Sequence, residues 1–271
     1  MRGYSHALTG TAAWLAVTTT TTYSAATYIP HLTIPATPPV ILAGAILCAG
    51  AALAPDADHP DGTIAHSLPP ISRPLCKGVA AVTGGHRHAT HSPIGVLGFY
   101  LIAHLAVAAP LIPIHGRTIP LAAGILAVLL TGFAAKSLGI ARELGKGKGT
   151  LNTLIASPLG PWIIALATAG TATWYLDYAW TWLPECVAVG AAAHMLGDAL
   201  TPEGVPLLWP LNPPCPKPLR PLLGFAWRPN GYFAIPIMGH TDTRNPTLRE
   251  TLFSAALAAY SLLLAGLTLT S

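Results

Sequence analysis

The sequence predicts an all-α, polytopic membrane protein. Three observations support this fold class. The chain of 271 residues is 52% hydrophobic and only 9% charged, with a mean hydropathy of +0.54, whereas an ordinary soluble domain has about 25% charged residues. Its hydrophobic residues form long blocks, and its Lys and Arg residues lie almost entirely between alternate blocks. Together these features indicate a bundle of membrane-spanning helices.

A spanning helix needs about 20 mostly apolar residues, and seven blocks come close to that length. They cover residues 7–29, 38–54, 93–113, 118–137, 159–182, 185–200 and 250–270. The second and sixth blocks are short, and each runs directly into a polar motif. We therefore expect about seven transmembrane helices.

Residues 1–271 are expected to form a single transmembrane domain. Within it, residues 202–246 are rich in Pro, Gly and Trp, and proline in a helix interior removes a hydrogen bond and clashes with the preceding turn. We expect this segment to be an ordered cap along the membrane interface, with Trp209 and Trp227 at the headgroup level.

The distribution of Lys and Arg predicts the orientation, because these residues are retained on the cytoplasmic side of short loops. With a cytoplasmic N-terminus, seven spans place 13 of the 14 Lys and Arg residues inside and only Arg117 outside. The sequence thus predicts a multi-pass protein of the inner (cytoplasmic) membrane. No nucleic-acid partner is expected, because the basic residues are dispersed and not clustered on one element. The loop 142–150, RELGKGKGT, is either a surface anchor or a contact for phosphate or anionic lipid.

Four polar clusters all fall on the predicted cytoplasmic side. They lie at the start of the first block, the end of the second, the start of the third and the end of the sixth. Their candidate metal ligands are His6; Asp56, Asp58 and His59; His86 and His91; and His194 and Asp198. Because the orientation was counted from Lys and Arg alone, this convergence independently predicts a metal site at the cytoplasmic face.

The cluster in the sixth block has the clearest geometry. His194 and Asp198 are four residues apart, so a helix places them on one face. Ionisable residues within an apolar span are functional candidates by default, although a capping aspartate and a satisfied buried histidine remain the alternative.

The other two large clusters lie in turns. In PDADH the proline ends the helix, and Asp56 and Asp58 can divide the roles of ligand and general base; an acidic capping turn is the alternative. In HRHATHS, Ser92 is expected to cap a helix that begins at Pro93. His88 could replace His86 as the ligand, and Arg87 offers a fork suited to phosphate.

Mixed His and Asp ligands without thiolates suit a divalent ion in a hydrolytic site, Zn²⁺ or else Mn²⁺. The eight candidate ligands exceed the needs of one ion, so we expect two zinc ions. Two ions can clamp a phosphoester and activate a water molecule. Asp56 or Asp58 would then act as general base, and Arg87 would hold the phosphate.

In chain order, the motifs SHALTG at 5–10, PDADHPDG at 55–62, GHRHATHS at 85–92 and HMLGDALTPEGVPLLWP at 194–210 resemble the bacterial membrane-bound metal-dependent hydrolase family. Its members are also described as LexA-regulated inner-membrane hydrolases. The resemblance covers about residues 1–210 and implies a multi-span protein with a metal centre and hydrolase activity. The family pattern falls on His6, Asp56, Asp58, His59, His86, Arg87, Thr90, His91, Ser92, His194 and Asp198.

Some positions depart from this pattern. His88 stands where the family usually has a small residue, and Gly62 where it often has Ser. Beyond residue 211 the chain departs further, and Thr243 and Glu250 are candidates for the terminal Thr and Glu of the family. A fainter similarity, in ligand types and order only, is to the zinc-dependent phospholipase C and P1 nuclease group.

The sequence therefore predicts a membrane-embedded metal-dependent hydrolase, with membrane lipids as partners and a phospholipid or lipid-linked phosphoester as substrate. Two alternatives remain open. A transporter of metal ions or solutes should carry ionisable groups near the bilayer midplane. A non-catalytic membrane protein with a structural metal should fill every coordination position with protein atoms.

Overall fold

The computed structural model describes residues 1–21, 37–68, 70–175, 180–239 and 247–270. Parts of the first and fifth predicted spans, the end of the predicted cap and Thr243 lie outside the described residues. The described part of the chain is mostly helical, as the sequence predicts.

Twelve α-helices are present in these ranges. They are α1 (Gly3–Thr21), α2 (Pro38–Ala51), α3 (Ser72–Thr83), α4 (Pro93–Ala108), α5 (Leu121–Ser137), α6 (Ile140–Leu144), α7 (Thr150–Ala156), α8 (Gly160–Ala165), α9 (Thr171–Tyr175), α10 (Leu183–Ala199), α11 (Arg220–Leu223) and α12 (Leu248–Thr270). A π-helical turn, Leu166–Gly170, joins α8 to α9.

Shorter elements connect the helices. Three 3₁₀ turns cover Ala54–Asp58, Ala89–His91 and Lys217–Leu219. The strands β1 (Ile112–Ile114) and β2 (Arg117–Ile119) form a small antiparallel hairpin between α4 and α5.

Helices α1, α2 and α10 pack against one another at the centre of the bundle. Close approach depends on small residues, as is usual between membrane helices. A Cβ at Gly50 would lie 1.9 Å from the carbonyl oxygen of Leu130 on α5, and one at Gly190 would lie 2.6 Å from Cβ of Ala51. Trp14 fills the space between α1 and α2, and its Nε1 donates a hydrogen bond to the carbonyl of Ile41 at 2.9 Å.

The remaining long helices surround this centre. Helix α12 packs on α1, α4 on α10, α5 on α2, and α8 on α5. As a result, the start of α1, the end of α10 and the turns that follow α2 and precede α4 meet at one place.

By length and composition, two stretches of the described residues can cross a membrane, Pro38–Asp58 and Leu248–Thr270. The pair Thr150–Ala156 and Gly160–Trp174, bent by 99°, would make a third if it forms one span. Helices α4 and α5 are apolar but shorter. The predicted membrane character is therefore supported, whereas the number of seven spans stays a prediction.

Helix α3 and the described part of the cap both lie outside the predicted spans. Helix α3 occupies a stretch for which the sequence predicted no helix, and it exposes Leu75 and Val82 while burying Cys76. In the described part of the predicted cap, helix is limited to the 3₁₀ turn Lys217–Leu219 and the four-residue α11, and Phe233 forms isolated bridges with Val205 and Trp227. The irregularity expected from its prolines is confirmed.

Candidate metal centre

Helix α10 presents His194 and Asp198 on one face, as predicted. Both side chains are buried, and Nε2 of His194 lies 3.6 Å from Oδ2 of Asp198. The other ring nitrogen, Nδ1, lies 2.7 Å from the carbonyl oxygen of Ala52. A carbonyl only accepts hydrogen bonds, so Nδ1 donates to Ala52 and Nε2 faces Asp198.

The 3₁₀ turn Ala54–Asp58 brings two carboxylates to the same place. Pro55 starts the turn, and the backbone N–H of Asp56 donates to the carbonyl of Leu53 at 3.1 Å. Oδ1 of Asp56 lies 3.6 Å from Nε2 of His194. The Asp56 side chain is 20% exposed, whereas Asp58 is fully buried.

His91 completes the convergence from the 3₁₀ turn Ala89–His91, just before Ser92 caps α4. The Ser92 side chain accepts a hydrogen bond from the backbone N–H of Gly95 at 3.2 Å, which confirms the predicted cap. Nε2 of His91 lies 3.0 Å from Nε2 of His194, 3.5 Å from Oδ2 of Asp198 and 3.6 Å from Oδ1 of Asp56.

The four donor atoms of Asp56, His91, His194 and Asp198 match the spacing of ligands around one small ion. Each of the five distances that involve a histidine Nε2 lies between 3.0 and 3.6 Å. Donors at zinc bond lengths of about 2.0–2.1 Å form a tetrahedron with edges of about 3.3–3.4 Å. The four side chains therefore have donor types and spacings that suit a metal ion.

A carboxylate fixes the orientation of His91. Its Nδ1 lies 3.3 Å from Oδ2 of Asp58, which leaves Nε2 facing the centre. Asp58 is itself held by the hydroxyl of Thr90, by the backbone N–H of Arg87 at 3.2 Å, and by Nδ1 of His86 at 2.9 Å. Metal-binding histidines commonly donate their outer N–H to a carboxylate or carbonyl in this way.

The charge of the site also favours a cation. Burial alone would lower the pKa of His91, but the carboxylates of Asp56 and Asp58 outweigh burial and raise that pKa to about 9. The facing Nε2 atoms of His91 and His194 can share only one proton between them. A divalent ion would compensate the same negative charge in place of that proton.

His6, on the first turns of α1, lies on the other side of Asp198. Its Nε2 is 3.3 Å from Oδ1 of Asp198, and its ring stacks on His194 with centroids 3.7 Å apart. Among the described residues, the buried Nδ1 of His6 has no hydrogen-bond partner. His6 is thus in the cluster, next to the Asp198 oxygen that faces away from His91.

Arg87 reaches into the cluster from a left-handed backbone conformation, with φ of 61°. A non-glycine residue in that region costs free energy and must be held by its surroundings. The guanidinium donates to Oδ1 of Asp198 at 3.0 Å and to the hydroxyl of Thr201 at 3.1 Å, and it lies 3.5 Å from Oε2 of Glu203. The Arg87 side chain is 14% exposed, so it lies at the edge of the site.

The remaining predicted ligands take different positions. His86 lies in the cluster through its contact with Asp58, and the His59 ring lies outside it, 4.6 Å from the His86 ring. His88 faces the cap, where the hydroxyl of Tyr232 is 3.3 Å from its Nδ1. The structure therefore brings His86 and not His88 to the acidic centre.

Two groups of residues are close enough to share an ion in the described part of the chain. One comprises Asp56, Asp58, His86 and His91, and the other comprises His6, His194 and Asp198. Together they contain every predicted metal ligand except His59.

Sequence reasoning missed several contacts that hold the cluster. The carbonyl of Ala52 leaves no sequence signal. Thr201 lies inside the HMLGDALT motif, so its polar side chain at the end of α10 was a sequence signal for a contact with the cluster. Tyr232 donates to the carbonyl of Arg87 at 3.0 Å from the cap. Glu250, a candidate from the family resemblance, is buried and accepts from the backbone N–H of Arg2 at 2.8 Å and from Ser5 at 2.9 Å, which anchors the start of α1.

The apolar helices and the buried His and Asp groups define a helical membrane protein with a candidate metal site. The chain belongs to the YdjM inner membrane protein family, which matches residues 1–268. No curated protein and no solved structure matches the chain. The family supports the predicted membrane location, while the similarities to hydrolases and to phospholipase C stay predictions.

Proposed function

We propose that the protein is a metal-dependent hydrolase embedded in the membrane, acting on a phosphoester of a phospholipid or a lipid-linked phosphate. The observation that carries this proposal is the convergence of two histidine nitrogens and two carboxylates at 3.0–3.6 Å. When bound, a Zn²⁺ or Mn²⁺ ion supplies Lewis acidity and lowers the pKa of a water molecule.

Asp56 is the donor best placed to meet water and substrate, because it is the only exposed member of the four. Its second carboxylate oxygen can accept a proton from an attacking water, which is the general-base role predicted from the sequence. Asp58, by contrast, is engaged by Thr90, His86 and His91. We assign it the role of positioning His91 instead of the predicted catalytic role.

Arg87 lies where it can hold an anionic substrate group. Glu203, its partner at 3.5 Å, is 49% exposed, so a phosphate can replace that carboxylate on the guanidinium fork. The contact with Asp198 would keep the guanidinium oriented during this exchange. This retains the predicted phosphate-holding role and adds a positioning role towards Asp198.

We propose one principal ion in place of the predicted pair, held by two residues from each of the two groups that lie close enough to share an ion. Oδ1 of Asp198 already faces His6 and Arg87, and both oxygens of Asp58 already accept hydrogen bonds. A second ion would have to replace the contact between His86 and Asp58. We therefore propose a site that binds its first ion between His91 and His194.

The decisive experiment is an activity panel on protein purified in detergent. Wild type should hydrolyse a member of a panel of phosphomonoesters, phosphodiesters and phospholipids. His194→Ala and Asp56→Ala should lose at least about 10²-fold in rate, because each removes a donor that fixes the ion. His104→Ala, on the outside of α4, and Asp61→Asn, in an exposed pair with Arg73, are the matched controls. Rates unchanged in both site variants would remove the proposed site.

A structural ion is the second candidate, and burial favours it. His91, His194 and Asp198 are each at most 1% exposed, and they tie α10 to the turns before α4 and after α2. The four protein donors alone would fill a tetrahedral structural site, whereas the catalytic site proposed above requires a further coordination position for water beside Asp56. Loss of metal and stability in His194→Ala, with no activity in wild type on any substrate of the panel, would favour this function.

A further inference from the structure

A cavity of about 550 Å³ lies away from the metal centre, where the end of α5 meets α6 and the bend between α7 and α8. Its wall includes Lys136, Arg142, Ser157 and Trp162. No acidic residue is among the described residues that line it. The cavity is therefore positively charged.

The cation of Arg142 has no compensating partner. Its side chain is exposed and makes no hydrogen bond or ion pair with any residue in the described ranges. The neighbouring acid, Glu143, is instead paired with Lys146 at 2.6 Å. Lys136 is half-buried and donates to the carbonyl of His66 at the cavity wall. Two cations with room between them suit an anionic group such as a phosphate.

An apolar groove of about 370 Å³ lies next to this cavity, and the two share Leu68 and Trp162. The groove runs along α5 between Ile125 and Val128 on one side and Leu166 on the other. It covers residues 121–129 of α5, or about 12 Å of helix. Its lining is almost entirely hydrophobic, which suits an aliphatic chain.

Helix α7 lies beside the cavity and has the character of an interfacial segment. Leu151 and Leu154 are exposed on it, and Lys146 and Lys148 precede it. Exposed leucines next to lysines are typical of segments at the boundary between headgroups and acyl chains. The cavity thus lies beside a segment whose composition is typical of the membrane interface.

We propose that this cavity and groove bind an anionic phospholipid, with its phosphate between Lys136 and Arg142 and one acyl chain along α5. A soluble phosphate would leave the groove without an occupant, and a neutral lipid would leave the cations uncompensated. The site is separate from the metal centre and does not depend on the proposed hydrolase activity.

Native mass spectrometry of the full chain released from detergent, with added dioleoyl phosphatidylglycerol or dioleoyl phosphatidylcholine, tests the proposal. Wild type should retain phosphatidylglycerol in preference to phosphatidylcholine. Arg142→Ala and Lys136→Met should each lower that preference by about fivefold, the effect of one cation near an anionic headgroup. Lys217→Ala removes an exposed cation from the cap and is the matched control.

A second variant tests the groove separately. A Cβ at Gly170 would meet Leu166 only at 3.8 Å and Val128 at 4.0 Å, so Gly170→Leu fills the groove and leaves the cations in place. It should weaken retention of phosphatidylglycerol without altering the thermal unfolding midpoint by more than a few degrees. Equal retention of both lipids by wild type would overturn the proposal. An Arg142→Ala protein that prefers phosphatidylglycerol as strongly as Lys217→Ala does would also overturn it. So would binding of soluble glycerophosphoglycerol as tight as that of phosphatidylglycerol.

Discussion

The contacts of Nδ1 in His91 and His194 determine which ring nitrogens face the centre of the site. The Ala52 carbonyl accepts a hydrogen bond from Nδ1 of His194, and Asp58 faces Nδ1 of His91. Both Nε2 atoms consequently face the carboxylates of Asp56 and Asp198. The four donor atoms at this spacing suit a metal ion or a shared proton among them, which is why we propose a cation site here.

Replacement of Asp58 by Asn should weaken metal binding by about 10- to 100-fold, because the amide no longer fixes the ring of His91. Competition for Zn²⁺ against a chelator of known affinity measures the change. Asp61→Asn is the control, since Asp61 is exposed and pairs only with Arg73. Equal affinities of the two variants would contradict the positioning role of Asp58.

Tyr232→Phe should destabilise the protein by about 1 kcal/mol, the usual net contribution of one hydrogen bond. The variant removes the donor that holds the Arg87 carbonyl in its left-handed conformation. Thermal unfolding in detergent, compared with Tyr260→Phe on the partly exposed face of α12, measures the loss. If Tyr232→Phe unfolds at the wild-type temperature, the cap does not support the Arg87 backbone.

At this scale the sequence predicted residue types better than roles. The spacing of His194 and Asp198 on a helix, and the Ser92 cap, are local properties and were predicted correctly. The sequence left open whether Asp56 or Asp58 is the general base, because their contacts depend on which carboxylate meets Thr90 and His91 after the turns fold. The choice between His86 and His88 likewise depends on the left-handed backbone at Arg87, which no spacing rule indicates.

At the scale of elements, α2 and α5 approach each other closely at Gly50. Gly50→Ala should destabilise the protein by about 1–3 kcal/mol, since its Cβ meets the Leu130 backbone at 1.9 Å and only helix displacement relieves it. Gly78→Ala on α3 has open space around it and should be neutral or slightly stabilising. Similar thermal unfolding midpoints of the two variants would mean that α2 and α5 have room for the added methyl group.

Helix starts were predicted correctly where a hydrophobic block begins at a proline. Pro93 and Pro38 start α4 and α2 close to their predicted positions, because proline is favoured in the first turn of a helix. Helix α3 was missed since its mixed polar and apolar residues do not form an apolar block. The break around Pro158, which bends α7 from α8, lies at the edge of the fifth predicted span, and hydropathy alone does not indicate its angle.

For the whole molecule, the distribution of Lys and Arg still predicts seven spans with a cytoplasmic N-terminus. Reporter fusions measure this directly. A fluorescent protein at the N-terminus should be bright, and alkaline phosphatase at the C-terminus should be active because an odd number of spans places that end outside. An inactive C-terminal phosphatase together with an active cytoplasmic reporter there would contradict the predicted topology.

We propose that Asp56, His91, His194 and Asp198 surround one divalent ion. X-ray absorption at the metal edge of the purified protein measures this directly. We expect one ion per chain with two imidazole ligands and oxygen ligands at about 2.0–2.2 Å, and loss of this ion in His194→Ala. Sulfur ligands at about 2.3 Å, or no more metal in the wild type than in His194→Ala, would contradict it.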